Sequence, residues 1–317
     1  MTNFYGQYIG FGAGGVAAVP YAFQGTIEGY SIGGSSSSGA VIDVIDKYSF
    51  ASDTANATNV GDLVTAKGGG NCSHSSTYGY VGGGGTGGSA SAPYVDVIEK
   101  LAFASGGNSV AQTAVLLAVK SFGASASTNT FGYHMGGYAP SSDDQIEKYS
   151  MVADTDATVV GDLSENKSRV GGASSETHGY AMGGVSPNSN VVDKFSFASE
   201  SVSGNVAQLT VSRGNSGANS TTYGYAFGGY AGHPVDYQDE IDRFSFASEG
   251  AAGDVGNLTV AGAWGSSTCS TTHGYTCGGD SRNNVIDRVS FESGGDAADV
   301  GDPFVTKQNM GSAGWSY

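Results

Sequence analysis

Short stretches in which apolar and polar residues alternate recur along this chain about every fifty positions. They read VIDKYSF at 44–50, VIEKLAF at 97–103, QIEKYSM at 145–151, VVDKFSF at 191–197, EIDRFSF at 240–246 and VIDRVSF at 285–291. In the fourth copy Val191, Asp193, Phe195 and Phe197 fall on one side, and Val192, Lys194 and Ser196 on the other. A period of two is that of a β-strand. Apolar residues on both sides predict a strand covered on both faces.

Each stretch is preceded by a Gly-Tyr pair followed by Gly-Gly. The tyrosines are Tyr30, Tyr80, Tyr133, Tyr180, Tyr225 and Tyr275, separated by 50, 53, 47, 45 and 50 residues. Three and four residues past each stands a glycine pair: Gly33-Gly34, Gly83-Gly84, Gly136-Gly137, Gly183-Gly184, Gly228-Gly229 and Gly278-Gly279. A third block follows the alternating one: VGDLVTAK at 60–67, VGDLSENK at 160–167, VAQLTVSR at 206–213, VGNLTVAG at 255–262 and VGDPFVTK at 300–307. The second copy, VAQTAVLLAVK at 110–120, is the most altered. A Ser/Gly/Thr-rich stretch then leads to the next Gly-Tyr.

Each unit therefore holds about four strand-sized segments in roughly fifty residues, the scale of one propeller blade. A lone four-stranded blade exposes two apolar faces, and radial packing buries them. The expected fold is all-β: a six-bladed β-propeller of four-stranded antiparallel blades. It spans residues 16–317, with 1–15 as a glycine- and aromatic-rich arm that either starts an inner strand or docks on a neighbour. Two segments compete to complete the first blade: VAAVPYAF at 16–23 and the tail QNMGSAGWSY at 308–317. The distance from 16–23 to Gly29-Tyr30 favours the N-terminal donor.

The chain carries 53 glycines and a formal net charge of −16. No G-X-Y period makes it collagen. The acidity argues against nucleic acid and against an anionic membrane surface as partners. No apolar run is long enough to insert in a membrane as a helix. The N-terminus lacks a basic region and a signal-peptide shape. The three cysteines, Cys72, Cys269 and Cys277, are expected to be buried thiols.

The bases are distributed by the repeat. Lys47, Lys100, Lys148, Lys194, Arg243 and Arg288 follow the acid of the alternating block, and Lys67, Lys120, Lys167, Arg213 and Lys307 close the third block. Only Arg169 and Arg282 remain of thirteen. The repeated bases are expected to pack their stems between blades and meet the acids Asp46, Glu99, Glu147, Asp193, Asp242 and Asp287. Other acids, among them Asp53, Asp62, Asp154, Asp156, Asp162, Asp296, Asp299 and Asp302, sit between the third and fourth strands. They lack the twelve-residue calcium-loop pattern and are expected in solvated turns. His178 and His273 share one repeat position before Gly-Tyr, which suits a turn. No metal-protease, redox, nucleophile-elbow or phosphate-loop motif is present, so neither an enzyme nor a cofactor or metal is expected.

The segment after Gly-Gly varies from blade to blade, with 10, 13, 8, 7, 11 and 6 residues before the apolar centre of the alternating block. Varied loops on one face of a rigid scaffold are where binding tends to sit. Tyr94, Tyr138, Tyr230, His233, Tyr237 and Arg282 are the candidate ligand-binding residues there.

The order of glycine pair, acid-aromatic strand and base resembles kelch repeats over residues 26–317, except that Val stands where those repeats carry a Trp at the start of the fourth strand. The wording of the repeats, with HGY, FGG, KFSFAS and VGDL, and the opening FYGQYIGFGAGG are similar to repeat proteins encoded by marine bacteriophages. That resemblance implies a virion component: a tail fibre, tail tip or capsid decoration in multiple copies or as a homo-oligomer. It would sit on the particle surface among other virion proteins and offer a propeller to a host glycan or receptor. A lectin-like carbohydrate-binding module of cellular origin is the alternative, and a glycan-acting propeller enzyme the third.

Overall fold

The computed structural model describes residues 24–52, 56–232, 236–281, 284–308, 310 and 314–317. Among them, six antiparallel four-stranded sheets succeed one another along the chain as the blades of a β-propeller. Blade 3 shows the plan: an inner strand Ala124–Ser127, a second Phe131–Tyr138, a third Ser142–Ser150 and an outer Thr158–Lys167. The Gly-Tyr motif lies on the second strand and the alternating block on the third. Blade 4 gains one parallel pairing, from Gly250–Ala251 to its outer strand Ser201–Gln208. The inner strands surround an axial channel to which Cys72, Ser125, Ser174, Asn219, Cys269 and Ser316 each contribute from a different blade.

The innermost strand of blade 1 comes from the C-terminus, where sequence spacing favoured 16–23. Trp315–Ser316 pairs antiparallel with Glu28–Ile32, with Tyr30 opposite Trp315. Trp315 is wholly buried, and its indole N–H donates to the Tyr80 carbonyl at 2.8 Å. Its ring lies 6.2 Å from both Tyr30 and Phe103. A tryptophan with a satisfied donor buries far more apolar area than the small side chains that dominate 16–23. That earlier segment and the arm at 1–15 fall outside the described residues.

Neighbouring blades meet through the same contacts around the ring. Each Gly-Tyr tyrosine packs on aromatic residues of the next blade's third strand wherever that strand offers them. Tyr133 stacks on Phe197 at 4.9 Å, Tyr180 on Phe246 at 4.7 Å and Tyr225 on Phe291 at 4.7 Å. Tyr275 of blade 6 stacks on Phe50 of blade 1 at 4.8 Å. All six tyrosines are almost fully buried.

The third-strand acids grip the preceding blade. Each accepts a backbone N–H at the end of that blade's outer strand or just past it: Val64 to Glu99, Leu117 to Glu147, Ser164 to Asp193, Thr210 to Asp242, Thr259 to Asp287 and Phe304 to Asp46. At five of the six junctions a buried base of the preceding blade joins the same acid. The pairs are Lys67–Glu99 (3.0 Å), Lys120–Glu147 (2.8 Å), Lys167–Asp193 (3.0 Å), Arg213–Asp242 (3.1 Å) and Lys307–Asp46 (3.2 Å). Gly262 occupies the position of the base before Asp287.

The repeated bases thus divide into two sets. The five above make the buried pairs. Those of the alternating block turn to the blade surface: Lys47 meets Glu28 at 2.8 Å, Lys194 meets Glu249 at 2.6 Å, Lys148 meets Glu200, and Lys100 sits 3.9 Å over the Tyr78 ring.

The glycine pair has a reason in this geometry. Gly183 has φ +64°, and a Cβ there would lie 2.4 Å from the Arg213 carbonyl of its own blade. Gly184 has φ +132°, and a Cβ there would lie 3.0 Å from Cβ of Lys167, the base of the preceding blade. The first glycine turns the chain against its own base strand, and the second leaves room for a neighbour's lysine stem. Cys72, Cys269 and Cys277 are all buried. Cys269 and Cys277 lie on adjacent strands, but their cross-strand partners are Gly274 and Ser266.

Candidate functional site on the loop face

The inner strands begin, and the second strands end, on the same face of the disc. Ser121, which leads into the inner strand of blade 3, exchanges backbone hydrogen bonds with Tyr138 at the end of the second. The varied segments after Gly-Gly therefore emerge around the start of the inner strands, next to the axis.

Two residues past four of the base positions the chain turns into the next inner strand. Gly69, Phe122, Arg169 and Trp264 hold this place with φ of +67°, +57°, +56° and +60°. Left-handed backbone at such large side chains is uncommon and costs energy that surrounding contacts must supply. Here those contacts are backbone hydrogen bonds running from blade to blade. Phe122 N–H donates to Gly69 (2.7 Å), Arg169 N–H to Phe122 (2.5 Å), Asn215 N–H to Arg169 (3.2 Å) and Met310 N–H to Trp264 (3.1 Å).

This turn throws Phe122, Arg169 and Trp264 together over the channel mouth. The Arg169 guanidinium carbon lies 4.5 Å from the Phe122 ring centre and 4.0 Å from that of Trp264, a cation held between two aromatic rings. Trp264 in turn sits 5.7 Å from Tyr230 and 6.4 Å from Tyr237. Tyr230 and Tyr237 are themselves 6.1 Å apart, and Tyr94 and Tyr138 form a second edge-on pair at 5.9 Å. Tyr237 donates its hydroxyl to Asp280 Oδ2 at 2.9 Å.

The electrostatics tie these groups to one site. Burial pulls the Arg169 guanidinium below its ordinary value, against Asp280 and the phenols of Tyr94, Tyr237 and Tyr138. Arginine remains charged regardless. Burial and the hydrogen bond to Asp280 push the Tyr237 phenol up to about 12. Arg169 makes no ion pair among the described residues, and its Nη1 is buried without a hydrogen-bond partner. The buried indole Nε1 of Trp264 also lacks one.

Four of the sequence candidates, Tyr94, Tyr138, Tyr230 and Tyr237, come together in this cup. His233 and Arg282 fall outside the described residues. Phe122, Arg169, Trp264 and Asp280 were not among the candidates. The signal for three of them was present: each stands two residues past the third block's terminal base position, where a repeat that otherwise carries small or polar residues places a large side chain.

The opposite face carries the acid-rich segments. There Asp154 accepts from the backbone and hydroxyl of Thr113, Asp156 from Val115 N–H, and Asp296 from Asn257 N–H. These acids tether one blade's loop to its neighbour's outer strand. Asp53 is outside the described residues. His178 and His273 each bond the hydroxyl of the preceding threonine, at 2.7 and 2.8 Å, in equivalent turns.

No protein-family model matches the chain, and no curated protein matches it at a significant level.

Proposed function

We propose that the chain is a binding propeller displayed on a virus particle, as a tail fibre, tail tip or capsid decoration, whose loop face contacts a host glycan or receptor. The observation that carries the binding half of this reading is the cup at the axis. It sets a cation that has no ion pair among the described residues between aromatic rings from several blades, where the loops vary most. Such rings offer flat apolar faces and hydroxyls to a sugar or a protein surface. The virion half rests on the kelch-like order of the repeats and on their likeness in wording to phage-encoded repeat proteins. The blade clasps support it physically. A ring of buried pairs and stacked tyrosines makes a rigid scaffold, which keeps a display surface preorganised.

The aromatic cup equally suits a lectin-like module of cellular origin. Quantitative proteomics on purified particles from the source separates the two. The virion reading expects this chain at a fixed copy number per major capsid protein. Absence from particles, with the chain found in cells or medium, overturns it.

A further inference from the structure

We infer that the Arg169 cup recognises the carboxylate of an acidic sugar, with the guanidinium as anion anchor and the tyrosine pairs as walls for the sugar ring. The inference rests on the proposed binding role of the loop face and names the chemistry it takes.

Three observations converge on an anion. Arg169 is a permanent cation with no ion pair among the described residues, whereas the repeated bases Lys67, Lys120, Lys167, Arg213 and Lys307 are consumed by buried acids. Among the described residues its Nη1 has no hydrogen-bond acceptor, and neither has Trp264 Nε1 beside it. A buried donor without a partner is costly, so an acceptor that reached either one would be bound with a gain. A planar carboxylate matches the forked geometry of a guanidinium.

The surroundings narrow the ligand further. The chain's net charge of −16 and the nearby Asp280 carboxylate disfavour a dianion such as a phosphate monoester. One carboxylate per sugar unit is a smaller burden. The phenols of Tyr94 and Tyr138 belong to blades 2 and 3, and those of Tyr230 and Tyr237 to blade 5, so aromatic surfaces from separate blades flank the cation. Aromatic faces and phenolic hydroxyls suit the C–H faces and hydroxyls of a pyranose.

The chain supplies its own reporter. It has two tryptophans; Trp315 is fully buried in the core, and Trp264 is half-buried against Arg169. The experiment titrates the full chain with glucuronic acid and N-acetylneuraminic acid, following tryptophan emission, with glucose and glucuronamide as neutral counterparts and a glutamate-containing peptide as a further arm. Calorimetry repeats the titrations independently of emission. The expected result is a saturable response to an acidic sugar, with the neutral counterparts at least about tenfold weaker. Arg169→Gln should weaken binding by about ten- to hundredfold, and Arg169→Lys by less. Thermal melts establish that the variants are folded. Tyr237→Phe, which removes only a hydroxyl, serves as a second variant should Arg169→Gln unfold.

Equal affinity for glucose and glucuronic acid would overturn the carboxylate assignment while leaving a sugar-binding face. Binding of the peptide with the acidic sugars silent would overturn it in favour of a protein ligand. Silence from every probe, by a chain that is nonetheless present on particles, would remove the site inference and leave the virion reading standing.

Discussion

The ammonium of Lys307 lies 3.2 Å from Oδ2 of Asp46, and this contact joins the last blade to the first with the same clasp that joins blades within the ring. Asp46 also accepts the N–H of Phe304 at 3.1 Å, and Lys307 donates to the carbonyls of Ser31 and Val44, each at 3.1 Å. Burial raises the Asp46 carboxyl above its ordinary value, against the attraction of Lys307 and the backbone donors. The clasp is therefore a desolvated pair held by geometry, and its net worth lies less in Coulomb attraction than in the cost of breaking it.

Removing one partner should show that cost. Lys307→Met leaves Asp46 buried without its cation and is expected to destabilise the fold by about 3–5 kcal/mol. The double variant Lys307→Met with Asp46→Leu should recover part of that loss, because neither charge is then stranded. Urea unfolding of the four species of this cycle gives both numbers.

Ring closure by the C-terminus gives a second expectation. Trp315→Ala should cost about 3–5 kcal/mol through the cavity it leaves, and Trp315→Phe less. The cavity would open against blade 2 as well, since Trp315 packs on Phe103 there. Because the indole also holds the Tyr80 carbonyl, hydrogen exchange should quicken at Glu28–Ile32 and Tyr78–Gly82 together in Trp315→Ala.

The structure carries a pH dependence of definite sign. His134 is buried, and burial, reinforced by the nearby charge of Lys120, depresses it from an ordinary 6.5 to about 3, with Asp143 pulling the other way. A depressed histidine contributes stability that is fully present above its unfolded value and is lost as pH falls towards its folded value. Between these limits the loss is about 1.4 kcal/mol per pH unit. Denaturant midpoints measured from about pH 6.5 down to about pH 4 should fall steadily, and His134→Asn should flatten the slope. An unchanged slope in that variant would mean that other groups, such as His74, depressed to about 4 by burial, dominate.

Much of the fold was legible in the chain because each blade repeats its own physics. The period-two block marked the third strand. The invariant Gly-Gly marked a turn that no side chain could enter, and the acid and base positions marked the blade clasp. Closure was misread, because spacing alone favoured 16–23, while the burial that decides the matter belongs to Trp315 and depends on Tyr30 of its own blade and on Tyr80 and Phe103 of blade 2. The cup was half legible. Its tyrosines stood out in loops of varied length, but Arg169 and Trp264 are far apart in sequence and meet only at the axis. Their shared offset from Lys167 and Gly262 was the one local sign.

The central claim is that the loop face, and not the acid-rich opposite face, is the binding surface. The most direct measurement places the labelled wild-type chain, a loop-face variant (Tyr138→Ala with Tyr230→Ala) and an opposite-face variant (Asp156→Asn with Asp296→Asn) on an array of host-type glycans. The wild type and the opposite-face variant should bind alike, and the loop-face variant should lose most of its signal while melting as a folded protein. Binding that survives in the loop-face variant and disappears in the opposite-face variant would contradict the claim.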